Sequence, residues 1–464
     1  MIFQQLYLPC LSHASYFIGD ERTGSAVVVD PRRDVDEYLA LAEQHGLSID
    51  RVFLTHFHAD FLAGHLELAA LTGARIHLGA KARADFDFQP VADGDELELG
   101  GVRLEFLETP GHTPEGIAIL VFDAQRDASA PFAILTGDTL FIGDVGRPDL
   151  LASQGLSARE LALSMYDTLH AKILPLPDAT LVYPAHGAGS ACGKNISRDT
   201  FSTLGVQKRV NWALQPMERE EFVRRLTAEQ PTMPAYFAFD ADLNRKQRVT
   251  LEENLSRRFL PLSLERVLEL AEGGALILDA REPSEWAAGH LAGSVNVGLS
   301  GTYASWVGSL ITPEREIVLV APAGREREAA VRLGRIGFDR IAGYLEDGAR
   351  AWSSRPELLR RSERISAAIL AERISSRNAP FVLDVRTQPE WDAGHLEGAT
   401  HIPLPQLERR AAELPRNRSI AVHCKGGYRS VIAVSLLERR GLGPLSDLEG
   451  GYMAWEAARR PTVS

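Results

Sequence analysis

The sequence predicts an α+β layered sandwich in the first part of the chain and two small α/β domains in the second. Apolar runs over the first 205 or so residues alternate in an antiparallel manner instead of repeating a regular βα unit, which favours a sandwich. A segment of the second part recurs 105 residues later, from Leu278 to Leu383, so one domain type occurs there twice. The length of 464 residues agrees with about three domains at roughly 150 residues each.

The composition is that of an ordinary globular protein, with 45% hydrophobic and 24% charged residues. The net charge of −12 gives no support to a nucleic-acid partner. No run approaches 18 apolar residues and the N-terminus lacks a signal-peptide pattern, so we expect no membrane partner. Three scattered cysteines indicate a reducing compartment, so we expect a cytoplasmic protein. We also expect a homo-oligomer whose partners are small molecules.

Short strands and one helix account for the first domain. Val27 to Asp30 predicts a buried strand, Asp34 to Gln44 has helical spacing, and Arg51 to Thr55 predicts a strand that ends at a group of histidines. Further apolar runs lie at residues 75–78, 102–107, 117–122, 133–135 and 181–183.

The composition shifts near Asn211, where prolines and charged helical turns indicate an ordered connector that covers part of the first domain. The repeat then begins: Leu278-Asp-Ala-Arg281 returns as Leu383-Asp-Val-Arg386, and a Gly-His-Leu motif follows each copy. The predicted boundaries are 1–208 for the first domain, 209–260 for the connector, 261–357 for the first repeat copy and 362–464 for the second.

A cluster of potential metal ligands follows the strand through Thr55. His56, His58 and Asp60 stand at alternate positions of one loop, and such residues converge on one point when a strand ends beneath them. Other segments with ligand-type residues also follow strands; they contain His112, Asp138, and the pair Tyr183 and His186.

These segments resemble the metallo-β-lactamase superfamily, whose pattern is H-x-H-x-D-H followed by a distant His, Asp and His. The pattern's third histidine is Phe61 here, which removes a ligand of the second metal and favours a single ion. Among the ligands that the resemblance implies, His56, His112 and Asp138 form a two-histidine, one-carboxylate face suited to one iron(II) per chain. Together with Phe61, the segment Gly146-Arg-Pro-Asp149 is similar to the persulfide dioxygenase branch. That branch oxidises the terminal sulfur of a thiol persulfide to sulfite with dioxygen.

Other residues of the first domain are expected near the metal as second-shell or substrate-binding groups. They are His58, Asp60, Arg147, Tyr183, His186 and Cys192. His186 is expected either to bond a metal-bound water or substrate or to be structural, and Arg147 either to bind a substrate carboxylate or to hold its loop with Asp149. Cys192 lies in a glycine-rich loop six residues after His186, either as a small buried hydrophobe or as a thiol that receives the persulfide.

The second repeat copy carries a reactive-cysteine pattern. Cys424 precedes a short loop and a helix, so inward-pointing amides and the helix dipole lower its pKa, and Arg429 adds positive charge. The segment resembles the rhodanese active loop C-x-x-G-x-R, whose remaining residues here are Lys425, Gly426, Gly427 and Tyr428. The resemblance implies that Cys424 carries sulfane sulfur from a donor to an acceptor.

The first repeat copy lacks this pattern. Spacing to its following helix places Pro322 at the nucleophile position, and Glu326 adds negative charge where an anion would bind, so we expect a catalytically inactive domain.

Dioxygenation yields sulfite, which a rhodanese can combine with sulfane sulfur to give thiosulfate or use in the reverse direction. The expected substrate is a low-molecular-weight persulfide such as glutathione persulfide. Two alternatives are a thioester hydrolase of the glyoxalase II type, against which Phe61 argues, and a non-oxidative sulfur-carrier or persulfide-sensing protein that uses Cys424.

Overall fold

The computed structural model describes residues 1–150, 155, 157–230 and 233–463. These residues divide into two compact units. The first comprises Met1–Asn254 with Leu333–Asp339, and the second comprises Leu255–Arg332 with the chain from Arg340 onward. Within the described ranges, no helix has both the length and the apolar character needed to cross a membrane.

Two six-stranded sheets form the centre of the first unit. The first sheet contains, in spatial order, β1 (Ile2–Leu8), β2 (His13–Asp20), β3 (Ser25–Val29), β4 (Ser48–Phe53), β5 (Arg75–Gly79) and β6 (Gln89–Val91). The second contains β7 (Glu96–Leu99), β8 (Val102–Glu108), β9 (Ile117–Asp123), β10 (Ala133–Gly137), β11 (Leu181–Pro184) and β12 (Ser202–Thr203), again as neighbours in sequence order. Pairing is parallel from β3 to β6 and between β10 and β11, and antiparallel elsewhere.

Helices cover the outer faces of these sheets. They are α1 (Asp36–His45), α2 (His65–Thr72), α3 (Ala158–Thr168), α4 (Leu204–Val210), α5 (Arg219–Thr227) and α6 (Phe237–Leu243), followed by α7 (Leu251–Arg258). Helices α1 and α2 contact β4 of the first sheet, whereas α3 and α5 contact each other beside the second sheet.

Two apolar layers result from this arrangement. Between the sheets, Val29 and Phe53 of the first pack with Leu104 and Ile119 of the second. On the other face of the second sheet, side chains of β9, β10 and β11 pack against α3 and against Phe222 of α5. The central strands β2, β9 and β10 are buried on both faces, which gives four layers, αββα, and confirms the predicted sandwich. Helix α5 lies inside the predicted connector, yet it contributes to this core.

The second unit contains two five-stranded parallel sheets of the same topology. Its strands are β13 (Pro261–Leu262), β14 (Leu276–Asp279), β15 (His290–Leu291), β16 (Val295–Asn296), β17 (Ile317–Val320), β18 (Ile341–Leu345), β19 (Leu359–Arg360), β20 (Glu363–Ile365), β21 (Phe381–Asp384), β22 (Thr400–His401), β23 (Ile420–His423) and β24 (Leu445–Leu448). The orders are β13-β18-β17-β14-β16 and β20-β24-β23-β21-β22, and β15 pairs with β19 outside both sheets.

Amphipathic helices cross over between these strands, as the sequence pattern predicts. They are α8 (Leu264–Glu272), α9 (Pro283–Ala288), α10 (Tyr303–Leu310), α11 (Glu326–Gly334), α12 (Ala367–Ile374), α13 (Gln388–Asp392), α14 (Leu407–Arg410), α15 (Arg429–Arg439) and α16 (Gly451–Ala457). The repeated motifs also make the same local contacts. Arg281 pairs with Asp279 as Arg386 pairs with Asp384, and a tryptophan stacks on the histidine four residues later in both copies.

Candidate metal centre and sulfur-transfer loop

Loops that follow four strands of the first unit converge on one buried point. His56 follows β4, His112 follows β8, Asp138 follows β10 and His186 follows β11. Strand pairing across each sheet sets these loops side by side, and all four side chains are buried. The structure therefore brings together residues that the sequence separates by 130 positions, from His56 to His186.

His56, His112 and Asp138 form the most regular of the possible metal sites. One ligand atom from each lies within 4.8 Å of the others. The Nε2 atoms of His56 and His112 are 3.8 and 3.4 Å from the same oxygen, Asp138 Oδ2. Asp138 Oδ2 is buried and has no hydrogen-bond partner among the described residues. This oxygen and the two Nε2 atoms therefore face one shared point, where a ligand would satisfy the oxygen.

The outer nitrogens of the two histidines are held by neighbouring groups. Thr55 Oγ1 donates to Asp30 at 2.7 Å and so accepts from His56 Nδ1 at 3.0 Å. His112 Nδ1 donates to the carbonyl oxygen of Arg147 at 2.8 Å. Both contacts place the ring proton on Nδ1 and leave the lone pair on Nε2. In this tautomer Nε2 can bind a metal. Burial lowers the pKa of both imidazoles, so they are neutral ligands.

His186 lies between two carboxylates. Its Nδ1 hydrogen-bonds Asp138 Oδ1 at 2.8 Å, and its Nε2 is 2.9 Å from Asp60 Oδ2. Burial opposes protonation of this imidazole, but the charges of Asp138 and Asp60 outweigh it and raise the pKa of His186 well above its ordinary value. The bond to Oδ1 fixes the Asp138 carboxylate so that its other oxygen faces the two ligand histidines.

A second possible metal group consists of His58, Asp60 and His186, all buried. Each of these residues already faces another group in the structure. His58 Nε2 is 3.0 Å from Asp30 Oδ1, and Asp60 and His186 face each other. The Phe61 ring occupies the adjoining space, with its centroid 4.4 Å from that of His58. This second group is therefore present but lacks the nitrogen that a histidine at position 61 would supply.

Sequence reasoning missed His13, a fully buried histidine in β2. Its ring lies 3.9 Å from that of Phe61, centroid to centroid, and about 6 Å from those of His58 and His186. Neither of its nitrogens has a hydrogen-bond partner in the described part of the chain, and burial lowers its pKa well below the ordinary value. A single histidine in a strand carries no motif, so only its packing reveals it.

Cys192 lies in the wall of the same pocket. Its Sγ is within 4.8 Å of ligand atoms of Asp138 and His186. Burial raises the pKa of the thiol well above its ordinary value, and the charges of Asp60 and Asp138 raise it further. The structure thus places Cys192 at the site, in its protonated form.

Arg147 and Tyr183 make contacts of a different kind. The buried guanidinium of Arg147 binds Asp149 through two nitrogens, at 2.7 and 2.8 Å, and donates to the carbonyl of Ala191 at 3.1 Å. The bonds to Asp149 agree with the second of the two roles expected for Arg147, and the bond to Ala191 joins this loop to the one that carries Cys192. Tyr183 packs against Phe3 and Phe201, and its described contacts include no residue of the metal pocket.

The segment after α6 holds the metal-binding loop from outside. Asn244 is buried; its Nδ2 donates to the carbonyl oxygens of His58 and Phe61, both at 2.8 Å, and its Oδ1 accepts from Ala63 N at 2.9 Å. Arg248 NH2 donates to the carbonyl of Ala63 as well. The predicted connector therefore fixes the backbone of the H-x-H-x-D segment, a function that its composition alone does not reveal.

In the second unit, Cys424 directly follows β23 and begins a tight loop. The thiol is buried; Gly427 N donates to its Sγ at 3.1 Å, and Ser430 Oγ lies 3.5 Å away. Gly427 has a φ of +88°, which directs that amide inward and which a side chain would disfavour. The carbonyl of Cys424 accepts from Tyr452 N at 2.7 Å, so the loop is held on both sides.

Arg429 begins α15 and forms a bidentate ion pair with Glu390, at 2.7 and 2.8 Å. Glu390 is partly buried, which opposes its ionisation, but the bonds from Arg429 and Thr387 lower its pKa to about 2. Lys425 and Gly426 are exposed, and nothing lies within 4 Å of the position of a Cβ on Gly426, so this side of the loop is open to a substrate.

Strand register corrects one sequence expectation about the first copy. Val320 pairs with Asp279 as His423 pairs with Asp384, so the next residue, Ala321, corresponds to Cys424. Pro322 therefore stands one position later than the spacing to the helix predicts. The same register aligns Gly324 with Gly427, both with positive φ, and Glu326 with Arg429. This copy lacks the thiol and has a carboxylate, Glu326, where the second copy has Arg429.

Comparison with known proteins agrees with both halves of this description. Residues 8–186 match the metallo-beta-lactamase superfamily, and residues 263–355 and 366–458 each match the rhodanese-like domain. The chain is 30% identical over 226 residues to the mitochondrial persulfide dioxygenase ETHE1 of Homo sapiens, which covers 48% of this chain and 80% of that protein. It is 30% identical over 253 residues to the cytoplasmic hydroxyacylglutathione hydrolase of Arabidopsis thaliana, covering 53% and 88%.

A crystal structure of a metallo-beta-lactamase from Staphylococcus aureus subsp. aureus COL resembles this fold with a TM-score of 0.68 and 32% identity. The match covers 74% of this chain and 98% of that one, so it extends beyond the sandwich. These findings confirm the resemblance carried by the histidine and cysteine motifs. The chain belongs to the metallo-β-lactamase superfamily, and its second half consists of two rhodanese-like domains.

Proposed function

We propose that the chain is a persulfide dioxygenase that holds one iron(II) on His56, His112 and Asp138 and transfers sulfane sulfur through Cys424. The observation that carries the proposal is the buried, unpartnered Asp138 Oδ2 facing two neutral histidine nitrogens. Two nitrogens and one carboxylate oxygen on one face suit ferrous iron and leave adjacent positions open. The chemistry of this donor set fits that ion, and its three ligand atoms already lie within 4.8 Å of one another.

Iron(II) held by His56, His112 and Asp138 would supply the electron-transfer chemistry by which dioxygen oxidises sulfur. The overall reaction is RSSH + O2 + H2O → RSH + SO3²⁻ + 2H⁺. The sulfane sulfur is oxidised to sulfite, and dioxygen accepts its four electrons. The thiol RSH is released unchanged, and we propose glutathione or a related small thiol as R.

The protein's own residues prepare the pocket for this reaction. His186 holds Asp138 Oδ1, which keeps the other carboxylate oxygen directed at the ligand point. Cys192, protonated and buried, offers a soft sulfur surface at the pocket wall where the persulfide would lie. Arg147 holds the loop of Cys192 against that of His112, so we assign it a positioning role.

Sulfur transfer is proposed for the second rhodanese-like domain. The Cys424 thiolate attacks the outer sulfur of a persulfide, the S–S bond breaks, and the thiol leaves as Cys424 becomes a persulfide. Sulfite then attacks the outer sulfur, which yields thiosulfate and restores the thiolate; each step also runs in reverse. The Gly427 amide at 3.1 Å from Sγ stabilises the anionic forms. Free Cys10, Cys192 and Cys424 support a reducing, cytoplasmic setting.

One observation favours a second candidate, a two-metal thioester hydrolase. His58, Asp60 and His186 form a second possible metal group, and a hydroxyacylglutathione hydrolase is among the relatives. Such a hydrolase would hold a bridging hydroxide between two ions. We favour the dioxygenase because Phe61 fills the space of the missing ligand and His186 and Asp60 pair with each other.

Oxygen uptake separates the two candidates. Iron-loaded protein given glutathione persulfide should consume oxygen and form sulfite or thiosulfate, whereas a zinc-loaded control should not. Metal analysis should give one tightly bound ion per chain. Two ions per chain, with hydrolysis of S-lactoylglutathione and no oxygen uptake, would contradict the proposal. Replacing Cys424 by serine should leave sulfite as the product. If this variant formed thiosulfate at the wild-type rate, Cys424 would have no part in sulfur transfer.

A further inference from the structure

Helix α15, which begins at Arg429 of the sulfur-transfer loop, is buried on all sides. Every residue from Ser430 to Leu437 is buried, whereas a helix on the surface of a small domain normally keeps one polar, exposed face. One side of α15 packs on β23 and β24 of its own sheet, and the other packs against β16 of the first rhodanese-like domain. The first domain therefore supplies a layer that covers this helix.

Polar contacts fix the register between the two domains. Asn296 N donates to Ser435 Oγ at 3.1 Å near the middle of α15. Near its end, His290 Nε2 lies 3.0 Å from Glu438 Oε1. These bonds come from the strand segments β15 and β16, which belong to the domain that lacks the cysteine.

The third contact involves the sulfur-transfer loop itself. Tyr428 Oη donates to the carbonyl oxygen of Gly298 at 2.6 Å. Its ring lies so close to Gly301 that a Cβ there would be 2.6 to 3.0 Å from three ring atoms. Burial raises the pKa of the phenol, so it remains a hydrogen-bond donor at neutral pH. The absence of a side chain at Gly301 thus leaves room for the tyrosine.

Tyr428 connects this contact to the reactive sulfur. It stands between Gly427, whose amide donates to Cys424 Sγ, and Arg429, whose guanidinium binds Glu390. The corresponding residue of the first domain is Arg325, which pairs with Glu328 on its own helix. The fold therefore does not require a tyrosine at this position, and the contact with Gly298 accounts for it.

We propose that the sulfur-transfer site is composite: the cysteine-less domain positions the Cys424 loop by holding Tyr428 against Gly298 and Gly301. Tyr428 is a positioning residue, and it acts on the thiolate through the Gly427 amide. The proposal rests on the sulfur-transfer function proposed above. It assigns the first domain a direct part in setting the reactivity of Cys424.

The test compares Tyr428→Phe and Gly301→Ala with the wild-type chain. The first variant removes only the hydroxyl group, and the second displaces the ring. The matched control is Tyr303→Phe, since Tyr303 lies in the same part of the first domain and its buried hydroxyl has no hydrogen-bond partner in the described chain. Two quantities are measured: kcat/KM for thiosulfate formation from sulfite and glutathione persulfide, and the pH dependence of Cys424 alkylation by iodoacetamide.

Loss of one hydrogen bond that orders the loop should lower kcat/KM by about five- to tenfold in Tyr428→Phe. The alkylation profile should move to higher pH in both variants and stay unchanged in Tyr303→Phe. An unshifted profile and wild-type kcat/KM in Tyr428→Phe would overturn the inference, even if its Tm falls, because a purely structural contact would leave the thiol unaffected. If the wild-type chain itself transfers no sulfur, the proposed function fails instead.

Discussion

The side-chain amide of Asn244 donates to the carbonyl oxygen of Phe61 at 2.8 Å. Phe61 stands where the superfamily pattern has a ligand histidine, and Asn244 comes from the segment that follows the sandwich. The same side chain also binds the backbone of His58 and Ala63, so three buried groups of the metal-binding loop depend on it. The geometry of the metal centre is therefore set partly outside the residues that match the superfamily profile.

Replacing Asn244 by alanine should weaken metal binding. The change leaves two carbonyl groups and one amide of the loop without partners, each at a cost of about 1–3 kcal/mol. Loss of outer contacts of this kind typically lowers metal affinity by about 10- to 100-fold. Iron titration by calorimetry checks the affinity, and thermal unfolding with and without chelator checks the coupling. Asn254→Ala is the control, since its side-chain amide donates to the carbonyl of Asp339; equal iron affinity in the two variants would contradict the prediction.

Two histidine substitutions should separate a ligand from its neighbour. His112→Ala removes a nitrogen from the triad, so the iron content after loading should fall from one per chain to about a tenth of that or less. His58→Ala should retain stoichiometric iron, because the side chain of His58 faces Asp30 and not Asp138 Oδ2. Metal analysis after gel filtration gives both values. Loss of the ion in the His58 variant would show that this histidine is a ligand.

Glu390→Gln should slow sulfur transfer by about tenfold, because the charged bidentate partner that orients Arg429 is lost. The pKa of Glu390 is lowered from 4.5 to about 2. A carboxyl group whose pKa is lowered in the folded state stabilises the fold when the pH is above its pKa in the unfolded state. This stabilisation is lost as the pH falls through its pKa in the folded state. The unfolding free energies of the wild type and the variant should therefore differ at pH 6 and converge towards pH 2. A constant difference over that range would contradict this assignment.

The first rhodanese-like domain should regain a reactive thiol only through two changes. In a Cys424→Ser background, Ala321→Cys places a thiol at the corresponding strand end, but Glu326 keeps its thiolate unfavourable. Adding Glu326→Arg should accelerate alkylation at pH 7 by about tenfold or more. Mass spectrometry of the peptide that contains the new thiol measures the rate. If a cysteine introduced by Pro322→Cys reacted faster in the same background, the register derived from β17 would be wrong.

Much of the candidate site follows from the sequence because the ligand residues stand in short motifs directly after strands. His56, His112 and Asp138 are brought together as the resemblance implies, and Cys424 lies between a strand and the helix that follows it. His13 and Asn244 were not predictable, since a single histidine in a strand and a single asparagine in a connector acquire meaning only through packing. The placement of Pro322 was wrong by one residue because the sequence does not fix the first residue of the following helix; the observed starts at Glu326 and Arg429 agree with the strand register.

The all-round burial of α15 sets a condition on how this tandem can evolve. Removal of the first rhodanese-like domain would expose a mainly apolar face of α15, so the second domain alone should aggregate. Substitutions should be tolerated around Ala321, where the thiol is absent, and be rejected around Gly298 and Gly301, which Tyr428 contacts. We therefore expect selection to act on the surface of the first rhodanese-like domain and not on its reactivity.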